Sequence, residues 1–166
     1  MRPDRLKKLL FWMVLAAPAA GWAYPDESFS TALAEKGIAE MDSGTLVQAK
    51  SPNPQVQEFA ALMVKDHAAL NDRLRTLVGS KRSRLPTSAD AVGRAVKAKL
   101  GVLTGRLFEQ FYIRSELQSN QAILDLVKGE IASGKDAKMR ALAQDILPSV
   151  ETHLKTIRVL ASGEGV

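Results

Sequence analysis

The chain has 166 residues, a formal net charge of +5 at pH 7, two histidines and no cysteine. Without cysteine the chain has no disulfide framework, no thiol nucleophile and no cysteine zinc site. Two histidines are also too few to argue for a serine-type catalytic triad with any specificity.

The first 23 residues have the form of a secretory signal peptide. Four basic side chains precede an apolar stretch from Leu9 to Ala20, and small residues follow up to Ala23. The basic residues are Arg2, Arg5, Lys7 and Lys8. Because the apolar stretch is shorter than the roughly 20 residues that span a bilayer, we expect cleavage after Ala23. An uncleaved anchor is the alternative. The prediction is an exported protein, periplasmic or associated with the outer membrane, whose residues 24–166 form a single domain.

Charge argues against a nucleic-acid partner. The predicted signal holds four of the 23 basic residues and one of the 18 acidic residues, which leaves 19 basic and 17 acidic residues. A balanced surface gives no electrostatic footprint for nucleic acid. Lys81, Arg82 and Arg84 form a basic cluster beside serine and proline, which predicts a solvated loop. Contact of this cluster with anionic lipid head groups, and so association with the envelope, is the alternative. No pattern points to a particular protein partner or oligomeric state.

The pattern of apolar residues predicts an all-α protein. Four long segments repeat apolar residues at intervals of three and four, and no useful length alternates at period two. The long helices are predicted at about 28–50, 55–78, 103–133 and 136–161, with a short helix at about 89–100. The double-proline sequence at 51–54 separates the first two helices. This order predicts a four-helix bundle with a short extra helix in the connector between the second and third long helices.

Each long helix places a polar group on its apolar face. His67 and His153 occupy positions spaced three and four from apolar neighbours in the second and fourth long helices. Asn120 interrupts the apolar face of the third, with Glu116 one turn earlier at its edge. The weaker pattern of the first helix turns Glu40 inward.

The depth of these groups depends on how the helices are connected. If the helices alternate up and down, a rise of about 1.5 Å per residue places all five groups within roughly 9 Å along the bundle. If the connector at 80–102 crosses the length of the bundle, Glu116 joins the level of Glu40 and His67, and the total spread increases. Both arrangements keep the five groups in the middle third of the bundle's length. They predict a central site built from His67, His153, Glu40 and Glu116, with Asn120 as a neighbouring polar group.

Three functions are compatible with such a site. Imidazoles and carboxylates together suit zinc, copper or iron, so the first is a non-catalytic binding module with a weak divalent-metal site. The second is a purely structural or interaction protein of the cell envelope, in which polar groups fix the register of the helices. Each histidine would then be neutral and hydrogen-bonded to a neighbour such as Glu40, Asn120 or Tyr112. The third is a metal-dependent redox enzyme.

The residues present can be compared with the ligands that two kinds of redox site require. A ferritin-type di-iron site needs a glutamate three residues before each histidine, but Val64 and Val150 occupy these positions. A haem held by Met41 and His153 is a further alternative, which is disfavoured because Met41 lies off the apolar face.

The chain resembles a known family of exported proteins. The matching residues are Phe29 with Gly37 to Glu40, Val56, Phe59 and Ala60, Met63 to His67, Phe108 with Tyr112, Leu147 with Pro148, and His153 with Leu154. The family is the domain of unknown function 4142, and the resemblance covers about residues 29–160. It implies a ferritin-like four-helix bundle and export, often with an outer-membrane label, but no established activity. Members of the family typically carry a further histidine where this chain has Ser119 and Asn120, and an aspartate where it has Glu109. If the family's histidines form a metal site, an amide therefore replaces one ligand here.

Overall fold

Five helices make up the fold. The computed structural model describes residues 25–79 and 85–166, and these ranges contain no strand. The helices are α1 (Pro25–Lys50), α2 (Pro54–Val78), α3 (Ala91–Val102), α4 (Gly105–Ser133) and α5 (Ala137–Glu164). The predicted all-α class and the short extra helix between the second and third long helices are confirmed. The predicted signal peptide and the basic cluster at 81–84 lie outside the described residues.

Local sequence signals explain where α2 and α5 begin. The side chain of Asn53 accepts hydrogen bonds from the backbone N–H groups of Gln55 and Val56, and Pro54 fills the first helical turn of α2 without losing a needed donor. Asp136 caps α5 in the same way. Both helices therefore start directly after tight turns, which makes α1 with α2, and α4 with α5, antiparallel hairpins.

The two hairpins pack side by side. α1 contacts α2 and α4, and α5 contacts α4 and α2, so the four long helices form a ring in the order α1, α2, α5, α4. The α1/α4 groove therefore lies on the opposite side of the bundle from the α2/α5 groove. α3 packs against α1 and α4 and covers the α1/α4 groove.

The connector crosses the length of the bundle, which settles the two arrangements that the sequence left open. The ammonium of Lys50, at the end of α1, donates hydrogen bonds to the carbonyl oxygens of Leu100, Gly101 and Leu103 at distances of 2.8, 3.1 and 2.9 Å. Near the start of α3, Gly93 lies against Ala39 of α1. α3 therefore runs parallel to α1, and α4 starts at the end of the bundle that holds the double-proline turn.

The core between the helices is mainly aliphatic. Among the aromatic residues, Phe29, Phe59, Phe108 and Tyr112 are buried in this core, whereas Phe111 is only partly buried. Among the described residues no helix is both long and apolar enough to cross a membrane. The apolar packing is interrupted near mid-length by the polar groups described next.

Candidate functional site

A layer of buried polar side chains crosses the middle of the bundle. Its members, called the polar layer below, are Glu40 (1% exposed), His67 (3%), Glu116 (2%), Asn120 (1%) and His153 (5%). The helical periodicity predicted that four of them face inward and placed Glu116 at the edge of the apolar face. Burial of so many groups that can carry charge is costly unless they are paired, neutral or bound to a ligand.

The two histidines face each other across α2 and α5. Their ring centroids lie 6.0 Å apart with an angle of 49° between the ring planes. Nε2 of His153 lies 2.9 Å from Oδ2 of Asp66. Together with Arg73 and apolar neighbours, these residues line a cleft of about 180 Å³ in the α2/α5 groove, called the histidine cleft below. The site on this face therefore combines two imidazoles with one carboxylate.

Three of the four ring nitrogens in the histidine cleft are buried without a hydrogen-bond partner. They are Nδ1 and Nε2 of His67 and Nδ1 of His153. Since a carboxylate only accepts, Nε2–H of His153 donates to Asp66, which leaves the lone pair of His153 on Nδ1. Burial lowers the pKa of His67; the charge of Glu40 opposes this, His153 adds to it, and Asp66 opposes it more weakly. The neutral form of His67, which has a free lone pair, is therefore favoured.

The two glutamates of the polar layer interact on the opposite side. Ser119 Oγ donates a hydrogen bond to Oε1 of Glu40. Nδ2 of Asn120 lies 3.0 Å from the backbone oxygen of Glu116 and 3.4 Å from its Oε2. The pKa of Glu116 is raised well above its usual value by burial and then by the neighbouring carboxyl of Glu40, and the Asn120 hydrogen bond opposes this. We infer that the pair shares one proton, because two adjacent buried carboxylates repel each other.

The glutamate pair lines a second cavity. This cavity, of about 250 Å³, lies between α1, α3 and α4 and is called the carboxyl cavity below. Tyr112 is fully buried near both glutamates, and its pKa is raised by burial and then by the charges of Glu116 and Glu40. The polar layer thus reaches a cavity on one face of the bundle and the histidine cleft on the other.

The structure divides the four predicted ligands between two places. His67 and His153 line the histidine cleft, whereas Glu40 and Glu116 line the carboxyl cavity. In the described ranges 25–79 and 85–166, no three histidine, aspartate or glutamate side chains converge to hold a metal ion. Assignment of the four residues to a metal stays a prediction. As the side chains stand, any metal ion would have two of these groups as ligands, not four.

Sequence reasoning missed Asp66 and Ser119 as partners of the polar layer. The histidine partners expected there were Glu40, Asn120 or Tyr112, but His153 pairs with Asp66. The only local signal was the position of Asp66 directly before His67. Its contact with His153 depends on α2 and α5 being neighbours, which is a long-range property of the fold.

The fold and the site define a class of protein, an all-helical bundle with a buried layer of histidines and carboxyls. The chain belongs to the family of the domain of unknown function DUF4142, whose model matches residues 14–160. The resemblance noted in the sequence is therefore confirmed. No curated protein matches the chain by sequence.

Solved structures share the fold at low sequence identity. A DUF305 protein from Streptomyces coelicolor, described as secreted, matches with a TM-score of 0.70 and 17% identity, over 86% of this chain and 94% of its own. CopM in its Cu(I)-bound form matches with a TM-score of 0.69 and 17% identity, over 83% of this chain and 96% of its own. A silver-bound form of CopM, obtained by soaking, gives a TM-score of 0.68 at 17% identity, over 83% of this chain and 95% of its own.

Proposed function

We propose that this protein is an exported, non-catalytic binding protein that holds one transition-metal ion between His67 and His153, with copper as the favoured metal. One observation carries the proposal: the two imidazoles lie 6.0 Å apart, and three of their nitrogens are buried without partners. A metal about 2.0 Å from one nitrogen of each ring would place the ring centroids roughly 6 Å apart. The spacing therefore fits an ion held between the rings.

The number of ligands favours copper over zinc or iron. Structural zinc sites are almost always four-coordinate, and ferritin-type iron sites use several carboxylates. Cu(I) and Ag(I) accept two nitrogen ligands in a nearly linear arrangement, and imidazole suits copper. CopM, which shares the fold, has solved structures in a Cu(I)-bound form and in a silver-bound form obtained by soaking. These considerations support copper as the first metal to test.

The surroundings of the histidines suit a bound cation. A ligating histidine usually donates its other ring N–H to a carboxylate, which fixes the ring orientation and raises its basicity. Asp66 and His153 are arranged in this way, at 2.9 Å. On the other side, the charge of Glu40 acts on His67 and would offset part of the positive charge of the ion. In this proposal Glu40 and Glu116 belong to the surroundings of the metal and are not its direct ligands.

A purely structural or interaction role is the second candidate. It is favoured by the lack of any three-ligand cluster in the described part of the chain and by the hydrogen bond with Asp66 that already engages His153. In that case the polar layer fixes the register of the helices, as buried polar groups do in some coiled coils. A ferritin-like redox enzyme is less well supported, since the carboxyls and the imidazoles line opposite faces.

Metal titration tests the proposal. Protein taken from the exporting cell and stripped with a chelator is titrated with Cu(I) under reducing conditions and, separately, with Ag(I) without a reductant, and both series are analysed by native mass spectrometry. We expect one ion per chain, loss of that ion in His67→Ala and in His153→Ala, and a ten- to hundredfold weaker affinity in Asp66→Asn. Glu109→Gln is a matched control, because Glu109 is buried outside both cavities and hydrogen-bonded to Ser51.

Two results would contradict the metal site. The first is a folded wild-type protein that takes up neither ion. The second is equal uptake by the His67→Ala, His153→Ala double variant. Either result would leave the structural role as the remaining explanation of the polar layer.

Export is a separate part of the proposal. The predicted signal peptide is expected to be removed after Ala23, which leaves residues 24–166. The intact mass of protein recovered from the cell envelope should therefore correspond to a chain of 143 residues. A mass equal to that of the full 166-residue chain would contradict cleavage and favour an uncleaved anchor.

A further inference from the structure

The carboxyl cavity has properties that the proposed metal site does not use. It lies under α3, on the face of the bundle opposite the histidine cleft, and measures about 250 Å³. At about 30 Å³ per water-sized group, it has room for roughly eight such groups. Neither histidine lines it. A ligand in this cavity would therefore be held by α1, α3 and α4 alone.

One end of the carboxyl cavity holds hydrogen-bond acceptors. Oε2 of Glu40 is buried without a hydrogen-bond partner, and the Glu40 side chain is 1% exposed. Glu116 lies beside it, and the hydroxyl of Ser119 donates to the other oxygen of Glu40. Ionised carboxylates only accept hydrogen bonds, so the pair suits a cationic ligand with several N–H donors that can take the place of the shared proton.

The walls of the carboxyl cavity are largely apolar. Ala39, Val92, Gly93, Val96 and Ala122 line it between the polar groups. Its other charged residues are Lys36, one turn before Glu40 on α1, and Asp90, whose side chain caps α3 by accepting from Gly93 N at 2.6 Å. A bare metal ion fits poorly, because no third carboxylate converges on the pair in the described residues. An alkyl chain with a cationic head matches both the walls and the end of the cavity.

We propose that the carboxyl cavity binds a small primary alkylamine as its ammonium ion, with the head group on Glu40 and Glu116 and the alkyl chain against the apolar wall under α3. This site is distinct from the proposed metal site, since its residues line a different face of the bundle, and the two share only the charge of Glu40, which also acts on His67. The ammonium takes the place of the proton shared by the two carboxyls. Binding therefore releases that proton to solvent and leaves both glutamates ionised.

The proton balance makes binding depend on pH. The affinity for the amine rises with pH as long as the carboxyl pair of the free protein retains its proton. The other groups that face the pair are Ser119, Asn120 and Tyr112 on α4, Lys36 on α1, Asp90 before α3, and His67 from α2. Burial raises the pKa of Glu116 and lowers the pKa of His67. The glutamate pair should therefore dominate the change in amine affinity with pH.

Calorimetric titration tests this proposal, with pentylammonium chloride and 1-pentanol as probes. The two probes have almost the same length, but only the first carries a charge. We expect the amine to bind at least tenfold more tightly than the alcohol. We also expect tighter binding at pH 8 than at pH 6, and a heat that depends on the ionisation enthalpy of the buffer because a proton is released.

Two substitutions separate charge from space. Glu40→Gln keeps the shape and should weaken amine binding at least tenfold. Ala122→Leu fills the cavity without touching the carboxyls and should weaken it to a similar extent. Glu109→Gln, on the same helix as Glu116 but outside the cavity, should leave it unchanged.

Three outcomes would overturn the proposal. They are equal affinity for pentanol and pentylammonium, unchanged amine binding in the folded Ala122→Leu variant, and no amine binding by the wild-type protein at pH 8. Because neither histidine lines the cavity, each outcome can be reached whether or not the protein binds copper.

Discussion

Glu116 and His67 lie in the same buried layer, and their protonation equilibria are displaced in opposite directions. Burial is the largest cause in both cases: it raises the pKa of Glu116 and lowers that of His67. Burial favours the uncharged form of any group, so the acid keeps its proton and the base gives its proton up. The polar layer therefore holds less charge than its composition suggests, and its stability depends on pH.

Glu116→Gln should stabilise the protein at high pH. A raised pKa in the folded state means that the contribution of Glu116 to stability is complete below about pH 4.5 and is lost as pH rises through the folded value. Glutamine has nearly the same shape and cannot ionise. The variant should be more stable than wild type by about 1–3 kcal/mol at pH 8, with a difference that shrinks towards pH 5. Urea denaturation at both pH values measures this, and a gain that is equal at both would contradict it.

His67→Gln should change the pH dependence at the other end of the scale. A lowered pKa in the folded state means that the unfolded chain binds more protons once pH falls below about 6.5, so wild-type protein loses stability there. The variant lacks this loss. Between pH 7.5 and pH 5.5, wild type should lose about 1 kcal/mol more than the variant. Thermal melts of chelator-treated protein provide the measurement, and identical slopes for the two proteins would argue against a buried neutral His67.

Periodicity predicted which polar residues face inward, but it did not predict their pairing. Glu40, His67 and His153 were placed in the core by spacing alone, and all three are buried. The pairs that decide the chemistry, His153 with Asp66 and Glu40 with Ser119, join residues 87 and 79 positions apart. Such pairs follow from the order of helices around the bundle, which local spacing does not contain.

At the scale of single helices, two glycines of α1 allow α2 to approach closely. A Cβ at Gly44 would lie 2.9 Å from the carbonyl oxygen of Ala60 and 2.8 Å from Cγ2 of Val64. A Cβ at Gly37 would meet the amide of Asn71 at 2.9 Å. The first of these neighbours is backbone and cannot move aside, so Gly44 sets the distance between the two helices.

Gly44→Ala should therefore destabilise the protein, by about 1–3 kcal/mol, because the new methyl group forces α1 and α2 apart. Gly129→Ala is the matched control, since a Cβ there meets nothing within 4 Å. The control should stabilise the protein by about 0.5–1 kcal/mol through helix propensity. Chemical denaturation of both variants compares them, and loss of stability in both would mean that packing at Gly44 is not the cause.

Lys50 connects the end of α1 to the end of α3. Its ammonium donates to three carbonyl oxygens and lies 4.8 Å from the centre of the Phe108 ring. Lys50→Met should therefore loosen α3, with about 1–3 kcal/mol less protection of its amides in hydrogen exchange. Lys97→Met, which removes a half-exposed ion pair with Asp42, should have little effect. Unchanged protection of α3 in Lys50→Met would contradict this role of Lys50.

For the whole molecule, the sequence predicted the helices better than the path between them. Each predicted boundary lies within three residues of the observed one, because proline, glycine and capping residues mark the ends. The sequence left open whether the connector crosses the length of the bundle. The crossing depends on long-range contacts such as that of Gly93 with Ala39, which local spacing does not contain.

The crossing connector is what separates the two candidate sites. It brings α4 antiparallel to α1, which places Glu116 and Ser119 next to Glu40, and it leaves α3 over this groove. In the part of the chain that the structure describes, no helix covers the opposite groove, and there the histidine cleft lies between α2 and α5. One bundle can therefore present a cleft for a metal and a separate covered cavity for an organic cation.

The position of a silver ion tests directly whether the histidine cleft is a metal site. Crystals of the protein soaked in silver nitrate would be measured for anomalous scattering. We predict one strong peak between the imidazoles of His67 and His153, close to Nδ1 of His153, and no peak there in crystals of His67→Ala. Silver bound only elsewhere, for example at Met41 or Met139, with no peak between the two rings would contradict a metal site in the histidine cleft.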